Sequence, residues 1–218
     1  MCMLSERALS ADGLSGFAVW HITESEEELL SLLPSDVDFS DIMRAKSKAR
    51  RLERLAVRAL LAQTLGREHI IKNLPSGRPV LVDGSWQISV SHTSEWAALA
   101  WSKQLCVGID IERRSNRVLR VSSRFVNDSE REAAQTFGNL PSPEYELLIW
   151  AAKESMYKLL DRRGLDLLHS VQVIPDGAIS ERGACSICVE GEAEHFPLLY
   201  RFHPEYVLAV VGTSVSQV

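Results

Sequence analysis

Between Val80 and Glu112 four strand-like runs follow one another with only three or four residues between them: Val80–Val82, Trp86–His92, Trp96–Trp101 and Cys106–Glu112. A connection that short closes a hairpin, whereas a parallel pair needs a crossover of a dozen residues or more. The centre of the chain is therefore restricted to antiparallel sheet. Asp83-Gly84 is a hairpin-type turn, and Ser76-Gly77-Arg78-Pro79 is another turn just before the first run.

Helical segments flank this block. Phe17 to Ile22 reads as an opening strand, and Glu24 to Leu33 as a short helix closed by Pro34. From Asp41 to about Leu65, Ala45, Ala49, Leu52, Ala56, Ala59 and Leu60 recur at helical spacing, with Gly66 as the stop. Beyond the block, a helical stretch from Asn116 to Phe137 is expected to break near Val126–Asp128. Pro141 and Pro143 precede a strong helix, Glu144–Leu160, and Gly164 ends that region. Strands follow near Val171–Ile174, Ala184–Val189, Leu198–Phe202 and Val207–Gly212. The element order repeats, which predicts an α+β fold of two similar α/β lobes, residues 1–102 and 103–218, with largely antiparallel sheets and packed helices.

A chain of 218 residues with 45% hydrophobic and 24% charged residues has an ordinary globular composition. Met1 to Gly16 lacks the apolar run of a signal peptide, and no stretch approaches a membrane span, so a cytoplasmic protein with no membrane association is expected. Cys2, Cys106, Cys185 and Cys188 read as structural thiols: Cys185-Ser-Ile-Cys188 stands alone and in a strand-like run. The net charge of -5 conceals a segment, residues 44–58, that carries +6. A basic stripe on an acidic protein points to a local anionic ligand rather than to nucleic acid.

The chemistry concentrates in Val107-Gly-Ile-Asp-Ile-Glu112 and Trp150-Ala-Ala-Lys-Glu-Ser-Met-Tyr-Lys158. In a strand, Val107, Ile109 and Ile111 face one way; Gly108, Asp110 and Glu112 face the other. Two neighbouring carboxylates on one face repel unless a cation joins them. A hard divalent ion suits that set, and Mg2+ takes one or two carboxylates together with phosphate oxygens. Glu154 can add a third acid, and Lys158 lies one helical turn further along. The set suits chemistry on a diphosphate.

These pieces, with Ser76–Pro79, Ile88-Ser-Val-Ser91-His92, Arg124-Phe125 with Glu130, and Gly164-Leu165, occur in an order that resembles the 4'-phosphopantetheinyl transferases. The likeness is to the two-lobed surfactin-synthetase-activating type and spans roughly residues 44 to 168. It implies a pseudo-twofold pair of lobes enclosing one cleft, acting as a monomer. The implied reaction transfers the 4'-phosphopantetheine arm of coenzyme A to a serine hydroxyl of an apo acyl or peptidyl carrier protein, with release of adenosine 3',5'-bisphosphate. The carrier's pathway (fatty-acid, polyketide or nonribosomal peptide synthesis) is left open.

The resemblance also implies roles. Asp110, Glu112 and Glu154 would hold Mg2+ or Mn2+, with Glu130 approaching directly or through water. Glu154 doubles as base for the serine, and Lys158 would neutralise or protonate the departing phosphate. Lys153 would brace the carboxylates or the pyrophosphate, and Trp150 would pack between the lobes. The N-terminal lobe would take the 3'-phosphate and adenine through His92, Arg78 and Ser91, with Arg51 or Arg58 from the basic stripe. The rest of that stripe would steer an acidic carrier. Two other readings fit some of the residues: a Mg2+-dependent hydrolase of nucleotide diphosphates, and a catalytically silent module that binds carriers.

Overall fold

The computed structural model describes residues 6–9, 12–137 and 142–214; Cys2 and Pro141 lie outside them. The chain divides into two compact units, 1–104 and 105–218. Every pairing between the described strands is antiparallel.

In the first unit, β1 (Glu6–Leu9), β2 (Ser15–His21), β5 (Gln87–Thr93) and β6 (Trp96–Ser102) form a sheet in the order β1-β2-β6-β5. The helices are α1 (Glu26–Ser31), α2 (Ser40–Met43) and α3 (Lys48–Thr64), and β3 (Ile71–Asn73) pairs with β4 (Pro79–Leu81). Ser25 and Glu28 close a reciprocal capping box that starts α1. Leu55, Ala56, Ala59 and Leu60 of α3 are fully buried with Trp20 and Trp101 of the sheet. The helix expected over 41–65 is two helices. Ser47 takes an extended backbone and accepts from Arg50 N, so a new helix begins there. Strands β1 and β3 were not anticipated: each is short and half polar, and only pairing with a neighbour makes it a strand.

In the second unit, β7 (Leu105–Arg113), β8 (Val171–Pro175), β9 (Arg182–Val189), β10 (Phe196–Phe202) and β11 (Tyr206–Ser214) run in the order β7-β11-β10-β9-β8. The first strand of the unit thus pairs with the last, placing Asp110 beside Ala209 and Glu112 beside Val207. Two 3-10 turns, Asn116–Arg120 and Ser122–Arg124, precede α4 (Asp128–Phe137), and α5 (Glu144–Leu160) packs on β7 and β11. Helix α5 ends at Asp161, which adopts a left-handed backbone, rather than at Gly164. Cys185 is fully buried and burial pushes its thiol up to about 12. Cys188, three residues on, projects from the other face of β9, so the pair does not form a redox couple.

Candidate active site

Gly108 decides how closely α5 approaches β7. A Cβ built there would lie 2.0 Å from the backbone oxygen of Ser155 and 2.9 Å from its carbonyl carbon. Only glycine lets helix and strand meet at this distance. Asp110 and Glu112 share Gly108's face and therefore turn toward α5 as well. Ile109 and Ile111 are buried on the opposite face.

The helix answers with one stripe. Trp150, Glu154 and Lys158 are spaced four apart and so lie one above another. Trp150 Nε1 donates to Glu112 Oε1 at 2.9 Å, and its ring lies 4.8 Å from that of Phe125. Lys158 Nζ donates to Asp110 Oδ1 at 2.6 Å and to the Ile109 carbonyl at 3.1 Å. Glu154 sits between these two anchors on the helix. Burial, then the charge of Asp110, pushes the Glu112 carboxyl up to about 7, against the pull of the Trp150 hydrogen bond and Lys158. Burial and Asp110 raise Glu154 too, with Lys158 opposing. Three acids and one lysine thus act on one another in a partly dry setting.

That donor set fits a hard divalent cation. All three acids offer oxygen, and their mutual repulsion is what such an ion relieves. Among the described residues no group of three acid, histidine or cysteine side chains stands close enough together to hold a metal ion. Asp110 is held by Lys158 and Glu112 by Trp150, so this fold offers carboxylates that need oxygens from elsewhere to complete a coordination sphere. Mg2+ is usually bound in that way, through one or two carboxylates and substrate phosphates.

Lys153 and Glu130 have another task. Their side chains are both fully buried, 2.9 Å apart. Lys153 Nζ also donates to the carbonyls of Phe125 (2.6 Å) and Leu167 (2.7 Å). Glu130 accepts from the backbone N–H of Asn127 and of Val173. Burial pushes Glu130 up and Lys153 down, and each restrains the shift of the other. The pair ties α4, α5, β8 and the 165–168 loop together from inside. With their polar atoms engaged in the interior, neither a metal-ligand role for Glu130 nor a pyrophosphate contact for Lys153 fits this arrangement.

In the first unit, His92 Nδ1 lies 3.1 Å from Glu53 Oε2 of α3, with 41% of its side chain exposed. Ser91, its neighbour on β5, is buried and points from the opposite face, so the two do not present one surface. Arg78 is half-buried in the turn that Gly77 makes at φ 98°. Arg51 is engaged with Glu26 at 2.9 Å and with the Ala45 carbonyl at 2.7 Å, pinning α1 to α3. Arg58 lines a cavity of this unit instead of joining His92 in a common contact. The roles of Trp150 and Glu53 as partners of site residues were missed. The spacing of Trp150 four before Glu154 was the available signal; nothing local marks Glu53.

Residues 106–211 match the family model described as the 4'-phosphopantetheinyl transferase superfamily. The chain is 29% identical over 119 residues to 4'-phosphopantetheinyl transferase gsp of Aneurinibacillus migulanus, covering 49% of each chain. It is 28% identical over 141 residues to 4'-phosphopantetheinyl transferase Sfp of Bacillus subtilis (strain 168), covering 62% of this chain and 58% of that protein. The chain thus spans about half the length of the curated relatives it matches.

Proposed function

We propose, from the match of residues 106–211 to the 4'-phosphopantetheinyl transferase superfamily model, that this protein transfers the 4'-phosphopantetheine arm of coenzyme A to a serine hydroxyl of an apo carrier protein. The observation that carries the reading is the facing of Asp110 and Glu112 on β7 with Glu154 and Lys158 on α5. Asp110, Glu112 and Glu154 are the residues that would hold Mg2+ or Mn2+. When bound, the ion would neutralise charge on the pyrophosphate of coenzyme A.

The remaining steps belong to the chain. Glu154, its proton affinity raised by burial and by Asp110, accepts the proton from the serine Oγ. The oxygen attacks the phosphorus that bears the pantetheine arm. A new P–O bond to serine forms as the bond to the bridging oxygen of adenosine 3',5'-bisphosphate breaks. Lys158, positioned by Asp110 and the Ile109 carbonyl, places its ammonium against the negative charge developing on that leaving oxygen. Trp150 keeps Glu112 in its rotamer through the indole N–H. To the first unit we assign the 3'-phosphate and adenine end of coenzyme A, through Arg78 and the exposed His92.

Incubation of the purified chain with coenzyme A, Mg2+ and a panel of apo carrier proteins tests this reading. The expected result is a phosphopantetheine mass gain on one serine, abolished by Asp110→Ala. A parent protein that adds nothing to any carrier, or cleaves coenzyme A equally well without one, refutes it.

A further inference from the structure

The first unit contains a cavity of about 170 Å³ between the 33–42 segment, α3 and the start of β3. Leu33, Phe39, Ile42 and Ile71 supply apolar wall, Arg58 and Arg67 supply guanidinium donors, and Asp38, Asp41 and His69 complete the lining. Arg58 is the anomaly. It is half-buried, and burial lowers its pKa, yet its guanidinium makes one long contact, Nη1 to the Arg54 carbonyl at 3.5 Å. Among the described residues no carboxylate lies within ion-pair distance of it. A guanidinium withdrawn from water normally finds a carboxylate or several carbonyls.

The acids on the cavity wall are committed elsewhere. Asp41 pairs with Arg54 at 3.0 Å, its charge reaching Arg58 only at longer range, and Asp38 accepts from Ser40 N at 2.8 Å and Ser40 Oγ at 3.0 Å. Arg67 is exposed, with one hydrogen bond, from Nη2 to the Ser31 carbonyl at 3.3 Å, and among the described residues it forms no ion pair. His69 is engaged at both ring nitrogens, Nδ1 2.9 Å from Asp83 and Nε2 3.7 Å from Glu68, so it lines the cavity without a spare donor. Two arginines with spare donors therefore share a small chamber lined otherwise by apolar wall and by the paired Asp38, Asp41 and His69.

We propose that this cavity binds a small organic oxyanion: a carboxylate or phosphate head held by Arg58 and Arg67, on a short apolar body lying against Ile42, Phe39 and Ile71. The planar guanidinium fork matches both head groups. At about 30 Å³ of liquid volume per water, the chamber has room for roughly six waters. It is too small for coenzyme A, so the site is distinct from the transferase reading and does not rest on it.

Calorimetric titration of the full chain with butyrate, n-propyl phosphate and inorganic phosphate is the test. Butyrate or propyl phosphate should bind with a Kd of about 1 mM or tighter; the tighter of the two identifies the head group. Arg67→Gln, a change at an exposed side chain, should weaken binding at least about fivefold and leave coenzyme A affinity unchanged. Arg58→Gln should remove binding. Absence of binding to either organic anion, or equal affinity in Arg67→Gln, overturns the proposal. So does inorganic phosphate binding as tightly as the organic anions, since the apolar wall would then be idle. Competition between butyrate and coenzyme A would likewise overturn it, by merging the cavity with the coenzyme site.

Discussion

Glu112→Gln should stabilise this protein at alkaline pH while disabling its site. The Glu112 carboxyl is raised from 4.5 to about 7, first by burial and next by Asp110. At about 1.4 kcal/mol per pH unit, ionising it in the folded state costs about 3 kcal/mol. The residue is half-buried, and solvent screening reduces that figure to about 1–2 kcal/mol. The sign follows from proton binding. Between about pH 4.5 and 7 the folded state holds a proton that the unfolded chain has released, so stability falls as pH rises through that window. Glutamine does not titrate and its Oε1 can still accept from Trp150. In urea titrations with a chelator present, parent and variant should therefore be close in stability near pH 4.5. At pH 8 the variant midpoint should exceed the parent's by about 0.5–1 M, taking a slope of about 2 kcal/mol/M. Glu154, raised in the same direction, leaves the variant a weaker slope of the same sign. Added Mg2+ should stabilise the parent and stabilise the variant less. A variant midpoint at or below the parent's at pH 8 would refute the claim that burial and Asp110 make the ionised Glu112 costly in the folded protein.

Gly108→Ala should destabilise by about 1–3 kcal/mol through overpacking, because its Cβ meets backbone rather than a side chain that can move aside. Displacing α5 by about 1 Å should cost on the order of 100-fold in the rate of the proposed transfer, read by steady-state kinetics beside a urea melt. Trp150→Phe keeps an aromatic ring against Phe125 but deletes the donor to Glu112. Mn2+ affinity, measured by electron paramagnetic resonance, should fall about 10- to 100-fold, and an unchanged affinity would show the indole N–H to be idle. Lys153→Met strands Glu130 in the interior and should cost about 3–5 kcal/mol in a denaturant titration. Adding Glu130→Gln should restore part of that loss.

Local pattern carried the secondary structure a long way. Helix α5 was anticipated at Glu144–Leu160, its observed range, because a proline precedes it and its apolar residues run almost all round. The alternation in β7 assigned Asp110 and Glu112 to one face. Where local signal was thin, the reading erred. Residues 44–47 interrupt what periodicity alone makes one helix, and β1 and β3 exist only because β2 and β4 pair with them. Charge in sequence also misled: Lys153 adjoins Glu154, but on a helix adjacent residues point about 100° apart. One faces the interior and the other faces the carboxylates.

Strand connections too short for crossovers, the faces of β7 and the four-residue stripe on α5 are properties of covalent geometry and period, so they could be known from the chain alone. Which buried charges meet is a different kind of fact. That Lys153 pairs with Glu130, that Trp150 rather than a charged group holds Glu112, and that Arg58 turns into a cavity depend on contacts between residues distant in sequence. Those contacts are chosen by the packing of α3 and α5 on their sheets, where desolvation makes an unmatched polar group costly enough to select its partner.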